Sequence, residues 1–229
     1  MKIRVASTSS YFFIVLFAVC LFFSGCIPEE IELPISFKTE SSSTVTSGDA
    51  IDLGLSVKWA SCNVGADSPE EYGDYFAWGE TTTKSSYTGS NSVTFDLSIS
   101  QLESRGIIGA DGNLAAEYDA ATANWGSDWR MPTLDEMEEL INQCTWERTS
   151  VNGVNGELVT GPNGNSIFLP AAGCRGGTAY GAGSVGYYWS ASPYSGSGSA
   201  CSLVFTSGDY DWGSLYRSYG QSVRPVSEE

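Results

Sequence analysis

The last forty residues before the C-terminal tail, residues 187–226, limit the possible folds most strictly, because their apolar runs are all very short. We call this segment the C-terminal window. Tyr, Ser and Gly supply more than half of it, and its apolar residues cluster at residues 187–189, 203–205 and 223–226. Such short clusters do not form helices, and the small residues between them favour turns. We therefore predict several short strands joined by pliable loops.

The composition of the C-terminal window also predicts a binding surface. Tyr and Trp provide a large contact area with few rotatable bonds, whereas Ser and Gly adapt their shape and hydrogen bonding to a ligand. The window holds two Trp and no Lys, Glu or Asn, a mixture typical of antibody binding loops. A β-rich domain end with ordinary Ser/Gly-rich loops has the same composition, so composition alone leaves both interpretations open.

Residues 1–25 have the pattern of an export signal, with a basic start at Lys2 and Arg4 and a small-residue site, FSGC, at the end. The apolar core at residues 11–23 is shorter than the roughly 20 residues that a membrane-spanning helix needs. The FSGC site resembles a bacterial lipobox, in which the cysteine is lipidated and becomes the new N-terminus. We therefore predict lipidation at Cys26, and ordinary secretion with cleavage nearby is the alternative.

Acidic residues follow the predicted lipidation site at Glu29, Glu30 and Glu32. They resemble the surface-export tag of some Gram-negative lipoproteins, so we expect a lipid-anchored protein on the outer face of the outer membrane. Residues 26–50 are polar and Ser/Thr-rich, and we interpret them as the lipidated cysteine and a flexible tether. Residues 51–229 then form a single domain that is long enough to bury a core.

The charge balance excludes one class of partner. Loss of Lys2 and Arg4 with the signal takes the formal net charge from −16 to −18, because all 27 acidic residues remain. A domain this acidic is repelled by phosphate backbones. Nucleic acid is therefore excluded as a partner, and we expect contact with the membrane through the lipid anchor only.

The domain contains clear signals for strands and helices. Leu53, Leu55, Val57 and Trp59 alternate with other residues, which predicts an opening strand with one buried face. The Ala-rich residues 113–126 predict a helix that ends at a glycine. A second helix is predicted within DWRMPTLDEMEELINQCTW, after a capping box formed by Thr133 and Glu136. It has an apolar stripe (Leu134, Met137, Leu140, Ile141, Cys144) and four acidic residues facing water (Asp135, Glu136, Glu138, Glu139).

Several motifs carry a family resemblance. WRMPTLDEMEELINQC resembles the helix signature of C-type-lectin-like folds. In chain order, DLGLSVKWASCNVGA, YGDYFAWGET, DAATANWGSDWRMPT, NGNSIFLPAAG, YYWSAS and GQSVRPV resemble the major-paralogous-domain (FISUMP) family of bacterial surface lipoproteins, over residues 51–226. The resemblance implies an α+β, C-type-lectin-like fold with small twisted antiparallel sheets and two main helices. Its first and last strands, residues 56–60 and 222–226 here, would pair, and the C-terminal window would display the ligand site.

The chain offers little for catalysis or cofactor binding. It has no His, which removes Ser-His-Asp and Cys-His catalysis and histidine metal sites. Cys62, Cys144, Cys174 and Cys201 form no CxxC motif; Cys174 and Cys201 could pair near strand ends, and free buried thiols are the equal alternative. The EPN and WND motifs of calcium-dependent lectins are absent, and the Asp209–Asp211 pair alone is a weak calcium signal. We predict no enzyme, cofactor or metal site.

The favoured function is therefore ligand binding by exposed aromatic and small polar side chains of the C-terminal window, with a protein or a glycan as ligand. A carboxylate-dependent glycan hydrolase and a structural component of the cell envelope are the alternatives, although no carboxylate is singled out by its position. The predicted ligand-binding residues are Tyr194, Ser197, Ser199, Ser202, Thr206, Asp209, Tyr210, Asp211, Trp212, Ser214, Tyr216, Ser218 and Tyr219.

The residue types of the C-terminal window suggest a possible origin. Some C-type-lectin-like proteins that this chain resembles are targets of diversity-generating retroelements, which rewrite adenines near the end of a gene. Rewritten AAT or AAC codons can encode Tyr, Ser, Gly, Asp, Cys, Thr, Val or Leu, but never Lys, Glu, Gln, Met or Trp. Many window residues fall in the permitted set, whereas Trp189, Leu203 and Phe205 have the character of a fixed framework. Naturally Tyr/Ser-rich loops are the alternative.

Overall fold

The computed structural model describes residues 48–196 and 198–228. The signal segment, Cys26, most of the tether and Ser197 lie outside these ranges. The described residues form three α-helices, namely α1 (Ile99–Ser104), α2 (Ala120–Trp125) and α3 (Leu134–Gln143). They also form eleven short strands, which are β1 (Ala50–Ile51), β2 (Lys58–Ala60), β3 (Thr145–Val151), β4 (Val154–Thr160), β5 (Ser166–Pro170), β6 (Cys174–Arg175), β7 (Ala179–Tyr180), β8 (Gly186–Pro193), β9 (Ser199–Phe205), β10 (Tyr210–Tyr216) and β11 (Val226–Ser227).

The strands are arranged in four small sheets, all with antiparallel pairing. Their strand orders are β1-β2-β11, β3-β4-β5, β10-β9-β8 and β6-β7. The predicted α+β class with small antiparallel sheets is confirmed, but there are three helices where two were expected. The additional helix is α1, which lies in a turn-rich segment with no clear periodicity. None of the described helices is long and apolar enough to cross a bilayer.

The first and last parts of the domain pair, as predicted, but over fewer residues. Val226 of β11 lies opposite Trp59 of β2 in an antiparallel ladder. The ladder is short because the chain before Lys58 is not extended; Gly54 adopts φ +78, which interrupts a strand. The predicted alternation nevertheless survives as burial, since Leu53, Val57 and Trp59 are all buried.

Helix α3 has the predicted capping box. The hydroxyl of Thr133 accepts a hydrogen bond from the backbone N–H of Glu136, and the Glu136 carboxylate accepts one from the N–H of Thr133. The prediction that all four acidic residues face water is wrong for two of them. Glu136 is paired with Arg130 at 2.6 Å, and Glu139 accepts hydrogen bonds from Ser56, so these carboxylates attach the helix to neighbouring segments.

Helix α2 is shorter than the Ala-rich pattern predicted. Asp119 stops the helix from extending further towards the N-terminus, because Oδ1 of Asp119 caps it by accepting from the N–H groups of Ala121 and Thr122. Its other oxygen accepts from the N–H of Met131, which ties the helix to the segment before α3. The predicted C-terminal stop is confirmed, since Gly126 follows the last helical residue with φ +97.

The β8–β9–β10 sheet contributes to both major apolar clusters of the core. Tyr188 and Trp189 are consecutive residues of β8, so their side chains project from opposite faces of the sheet. Tyr188 packs in the cluster that holds Trp59 and Leu140 of α3, whereas Trp189 packs in the cluster around Trp78. Because both faces of the sheet are largely covered, its solvent-exposed residues are concentrated on the outer strand, β10.

Two arginines are buried without an acidic partner among the described residues. Arg224 donates to the carbonyl oxygens of Ala60, Ser61 and Phe168 and to the side-chain oxygen of Asn63, at 2.8–2.9 Å. Arg217 donates in the same way to backbone carbonyls of Thr94, Leu97 and Ser199, and its guanidinium lies 5.0 Å from the ring centre of Trp78. Burial lowers the pKa of both guanidinium groups.

The structure decides between a Cys174–Cys201 disulfide and free buried thiols. Cys62, Cys144, Cys174 and Cys201 are all buried and free, so the suggested Cys174–Cys201 disulfide is wrong. The two residues belong to different sheets, Cys174 to the β6–β7 hairpin and Cys201 to the central strand β9. Burial raises the pKa of the Cys144 and Cys201 thiols to about 11, which favours the neutral, unreactive form.

Arg224→Lys should destabilise the domain by roughly 3–5 kcal/mol, because lysine cannot satisfy four separated oxygen acceptors from one buried position. Urea-unfolding midpoints measure the effect. Arg105→Lys is the matched control at an exposed arginine and should change the free energy of unfolding by less than about 0.5 kcal/mol. Equal midpoints for the two variants would contradict the central role of Arg224.

Candidate ligand-binding surface

β10 is an edge strand whose outer side has no strand partner among the described residues. At one end of the β9–β10 ladder the N–H of Thr206 donates to the carbonyl of Asp209, and at the other end the N–H of Arg217 donates to the carbonyl of Gly198. Asp209 and Arg217 therefore direct their backbone groups inward, towards β9. Inward hydrogen bonding alternates along an antiparallel strand, so it includes the odd-numbered residues from 209 to 217. The even-numbered residues of β10 therefore direct their backbone groups towards the open edge.

Aromatic side chains dominate the exposed apolar surface. Of the six large apolar residues that are exposed in the described ranges, five are aromatic (Tyr180, Tyr194, Tyr210, Trp212 and Tyr216) and only Val93 is aliphatic. Trp212 is 37% exposed, whereas the other six tryptophans are buried or half-buried. Four of these five aromatic residues lie in the C-terminal window, and Tyr180 precedes it.

Ring contacts hold part of this aromatic surface in place. Tyr210 stacks on Trp146 of β3 with ring centres 4.6 Å apart and an interplanar angle of 12°. Tyr216 makes edge contacts with Phe95 at 5.6 Å and with Tyr219 at 5.9 Å. Rings fixed on one side and exposed on the other lose little conformational freedom when a ligand packs on them.

Most of the predicted ligand-binding residues lie at the surface. Those exposed are Tyr194, Thr206, Asp209, Tyr210, Asp211, Trp212, Ser214 and Tyr216, whereas Ser199 and Tyr219 are half-buried. The structure brings Tyr216 and Tyr219 together next to Phe95, and it places Tyr210 at the other end of β10 against Trp146.

Two predicted ligand-binding residues are wrong as surface contacts, because Ser202 and Ser218 are buried. Ser202 lies on the central strand, between Trp189 of β8 and Gly213 of β10, so its side chain projects into the core. Ser218 follows the buried Arg217 where the chain turns inward after β10. Composition could not distinguish these serines from exposed ones, because it carries no information about strand order.

A groove lies between the β6–β7 hairpin and the β8–β9–β10 sheet, with a volume of about 380 Å³. We call it the tyrosine groove, and it is lined by Cys174, Gly176, Gly177, Thr178, Tyr180, Tyr187, Leu215 and Tyr219. Among the predicted residues only Tyr219 belongs to it. Tyr187 could have been found from the sequence, since it alternates with the core residue Tyr188; Tyr180 could not, because it precedes the C-terminal window.

A second cleft, of about 370 Å³, carries acidic side chains that include Asp111, Asp119 and Glu228. Burial raises the pKa of Asp119, against opposing hydrogen bonds from three backbone N–H groups. Those bonds occupy both carboxylate oxygens, so Asp119 acts as a helix cap. Glu228 is paired with Arg130 at 3.3 Å. The cleft therefore gives no specific support to a two-carboxylate mechanism.

Several carboxylates outside this cleft also have local partners. Glu70 accepts a hydrogen bond from Asn152, Glu71 accepts one from the N–H of Asp67, and Glu80 is paired with Lys84 at 2.7 Å. Asp211 accepts from the N–H of Trp212 at 2.7 Å. Within residues 48–196 and 198–228, no three His, Cys, Asp or Glu side chains are grouped closely enough to hold a metal ion.

Comparison of the chain with protein-family models, curated proteins and solved structures gives no match.

Proposed function

We propose that this chain is a surface-anchored ligand-binding lipoprotein of the major-paralogous-domain (FISUMP) type, with a C-type-lectin-like domain that binds a protein or a glycan. The supporting observation is the concentration of exposed aromatic side chains between residues 180 and 216. Exposure of aromatic side chains to water is unfavourable in free energy, and such residues are enriched at the centres of binding surfaces. The outer membrane is the proposed location, with lipid attached at Cys26.

The binding surface in this proposal comprises β10 and the loops at its two ends. Tyr210, Trp212 and Tyr216 supply aromatic contact area, while Asp211 and Ser214 supply polar groups between them. The strand is held by its ladder to β9 and by α3, so side chains can be presented on a rigid support. An extended segment of a partner could also pair with the open backbone edge of β10.

Removal of the predicted lipidation site should release the protein from the membrane. Cys26→Ser should shift the protein from the detergent phase to the aqueous phase, because stable anchoring depends on the attached acyl chains. Cys20→Ser, within the export signal, is the matched control and should partition like the wild type. Detergent partitioning of Cys26→Ser equal to that of the wild type would contradict the anchor.

The exposed aromatic residues of β10 should carry most of the binding energy. Residues 27–229 would be screened on an array of glycans and extracellular proteins, and the wild type should bind at least one of them. Trp212→Ser and Tyr216→Ser should each weaken that binding by about tenfold or more, the usual effect of removing a central aromatic contact.

Val93→Ser is the control for this experiment, because Val93 is 58% exposed but lies outside the C-terminal window. It should bind like the wild type. If the Trp212→Ser/Tyr216→Ser double variant also binds like the wild type while remaining folded, the surface has been assigned to the wrong residues.

The same proposal includes diversification of the C-terminal window by a retroelement. Thr206, Asp209, Asp211, Ser214 and Tyr216 are exposed and belong to the residue types that rewritten AAT or AAC codons permit. The gene provides the test: a near-identical template repeat and a neighbouring reverse transcriptase gene are expected. If the gene has neither, and its codons at these positions do not derive from AAT or AAC, the C-terminal window is not diversified, although its binding role would be unaffected.

A further inference from the structure

The tyrosine groove combines aromatic faces with unused hydroxyl groups. Tyr180 from β7, Tyr187 from β8 and Tyr219 after β10 line it, with Leu215 and Cys174 beside them. Tyr180 is 65% exposed, the most exposed large apolar residue of the described chain, while Tyr187 and Tyr219 are half-buried. None of the three phenol hydroxyls has a hydrogen-bond partner within the described residues. The groove therefore offers both apolar surface and polar groups to a ligand.

No charged side chain lines the tyrosine groove, although the chain carries 27 acidic residues. The nearest arginine in sequence, Arg175, lies over the ring of Tyr75 at 4.5 Å and is not among the lining residues. An anionic ligand would find no countercharge in the groove and would be repelled by the net charge of the domain. These features favour an uncharged ligand.

The three hydroxyls distinguish between the uncharged ligands. A purely apolar ligand would cover the rings and would also shield the hydroxyls of Tyr187 and Tyr219 from water without bonding them, which has a desolvation cost. A pyranose ring has an apolar C–H face that can pack on a tyrosine ring and a rim of hydroxyls that can bond to phenols. The backbone N–H groups of Gly177 and Thr178, which have no partner in the described hairpin, add two donors at the edge of the groove.

The backbone of the hairpin holds Tyr180 close to the sheet. Gly173 adopts φ +67 and donates to the carbonyl of Val185 at 2.8 Å, so the chain entering β6 is fixed against the chain entering β8. A Cβ atom at Gly173 would collide with the backbone of Tyr180 and Ala182. This close approach holds the hairpin that carries Tyr180 against the chain that leads into β8, where Tyr187 lines the same groove.

We propose that the tyrosine groove binds a neutral saccharide, with the ring of Tyr180 stacking on a pyranose and the phenols of Tyr187 and Tyr219 hydrogen-bonding its hydroxyls. This inference rests on the proposed binding function and names the ligand class for one part of the surface. Trp212 does not line the groove, so Trp212→Ser tests the β10 face separately, whereas Tyr216 contacts Tyr219 at the edge of the groove.

The test uses residues 27–229 and calorimetric titration with neutral hexasaccharides, namely maltohexaose, cellohexaose, mannohexaose, laminarihexaose and xylohexaose. At least one should bind with a Kd below roughly 5 mM. Oligogalacturonate, an anionic saccharide, should not bind. Tyr180→Ser should weaken the binding by about tenfold, and Tyr180→Phe, which keeps the ring, by about threefold. The amide resonances of Gly176 and Gly177 should shift on titration.

Val93→Ser is again the control and should bind the saccharide like the wild type. The inference is overturned if no neutral hexasaccharide binds, or if Tyr180→Ser binds as the wild type does. Should the array ligand still bind through Trp212 and Tyr216 while no saccharide binds, only the saccharide inference fails. Absence of binding in both experiments would overturn the proposed function as well.

Discussion

The hydrogen bonds of Arg224 connect parts of the chain that are far apart in sequence. Its guanidinium reaches oxygen atoms of residues 60–63 and of Phe168, and Arg224 itself lies just before the last strand. The start of the domain, the β3–β4–β5 sheet and the C-terminal end therefore meet at one buried cation. All of its partners are neutral oxygens, so the geometry of the surrounding backbone must be maintained for the charge to remain buried.

Arg217 repeats this arrangement at the end of β10. Arg217 directly follows the exposed strand, and its guanidinium donates to the carbonyls of Thr94, Leu97 and Ser199. Residues 217–224 lead from the end of β10 into the core, and the buried Arg217 and Arg224 fix the two ends of this segment. The exposed face of β10 can consequently vary in side chain while the backbone that carries it stays in position.

Local signals in the sequence predicted the local structure well and the long-range structure less well. The capping box of α3, the stop at Gly126 and the buried face around Trp59 all depend on neighbouring residues, and each was predicted correctly. The start of α2 was misplaced because the Asp119 cap competes with helix propensity over the preceding residues. The burial of Ser202 and the participation of Tyr180 in a groove depend on which strands are neighbours, and residue patterns do not encode that. Exposed aromatic residues were predicted from the composition of the C-terminal window, and Tyr210, Trp212 and Tyr216 are indeed exposed.

The four buried thiols make the redox chemistry of this domain depend on its folding. A thiol reacts as its thiolate, and a pKa of about 11 at Cys144 and Cys201 leaves only a trace of thiolate at neutral pH. Oxidants therefore reach these buried sulfur atoms only when the core opens. Burial together with the raised thiol pKa should therefore slow disulfide formation and thiol exchange in the folded domain relative to the unfolded chain. No disulfide links the described residues, so noncovalent contacts alone hold their fold together, and the thiols become accessible only as fast as the core opens.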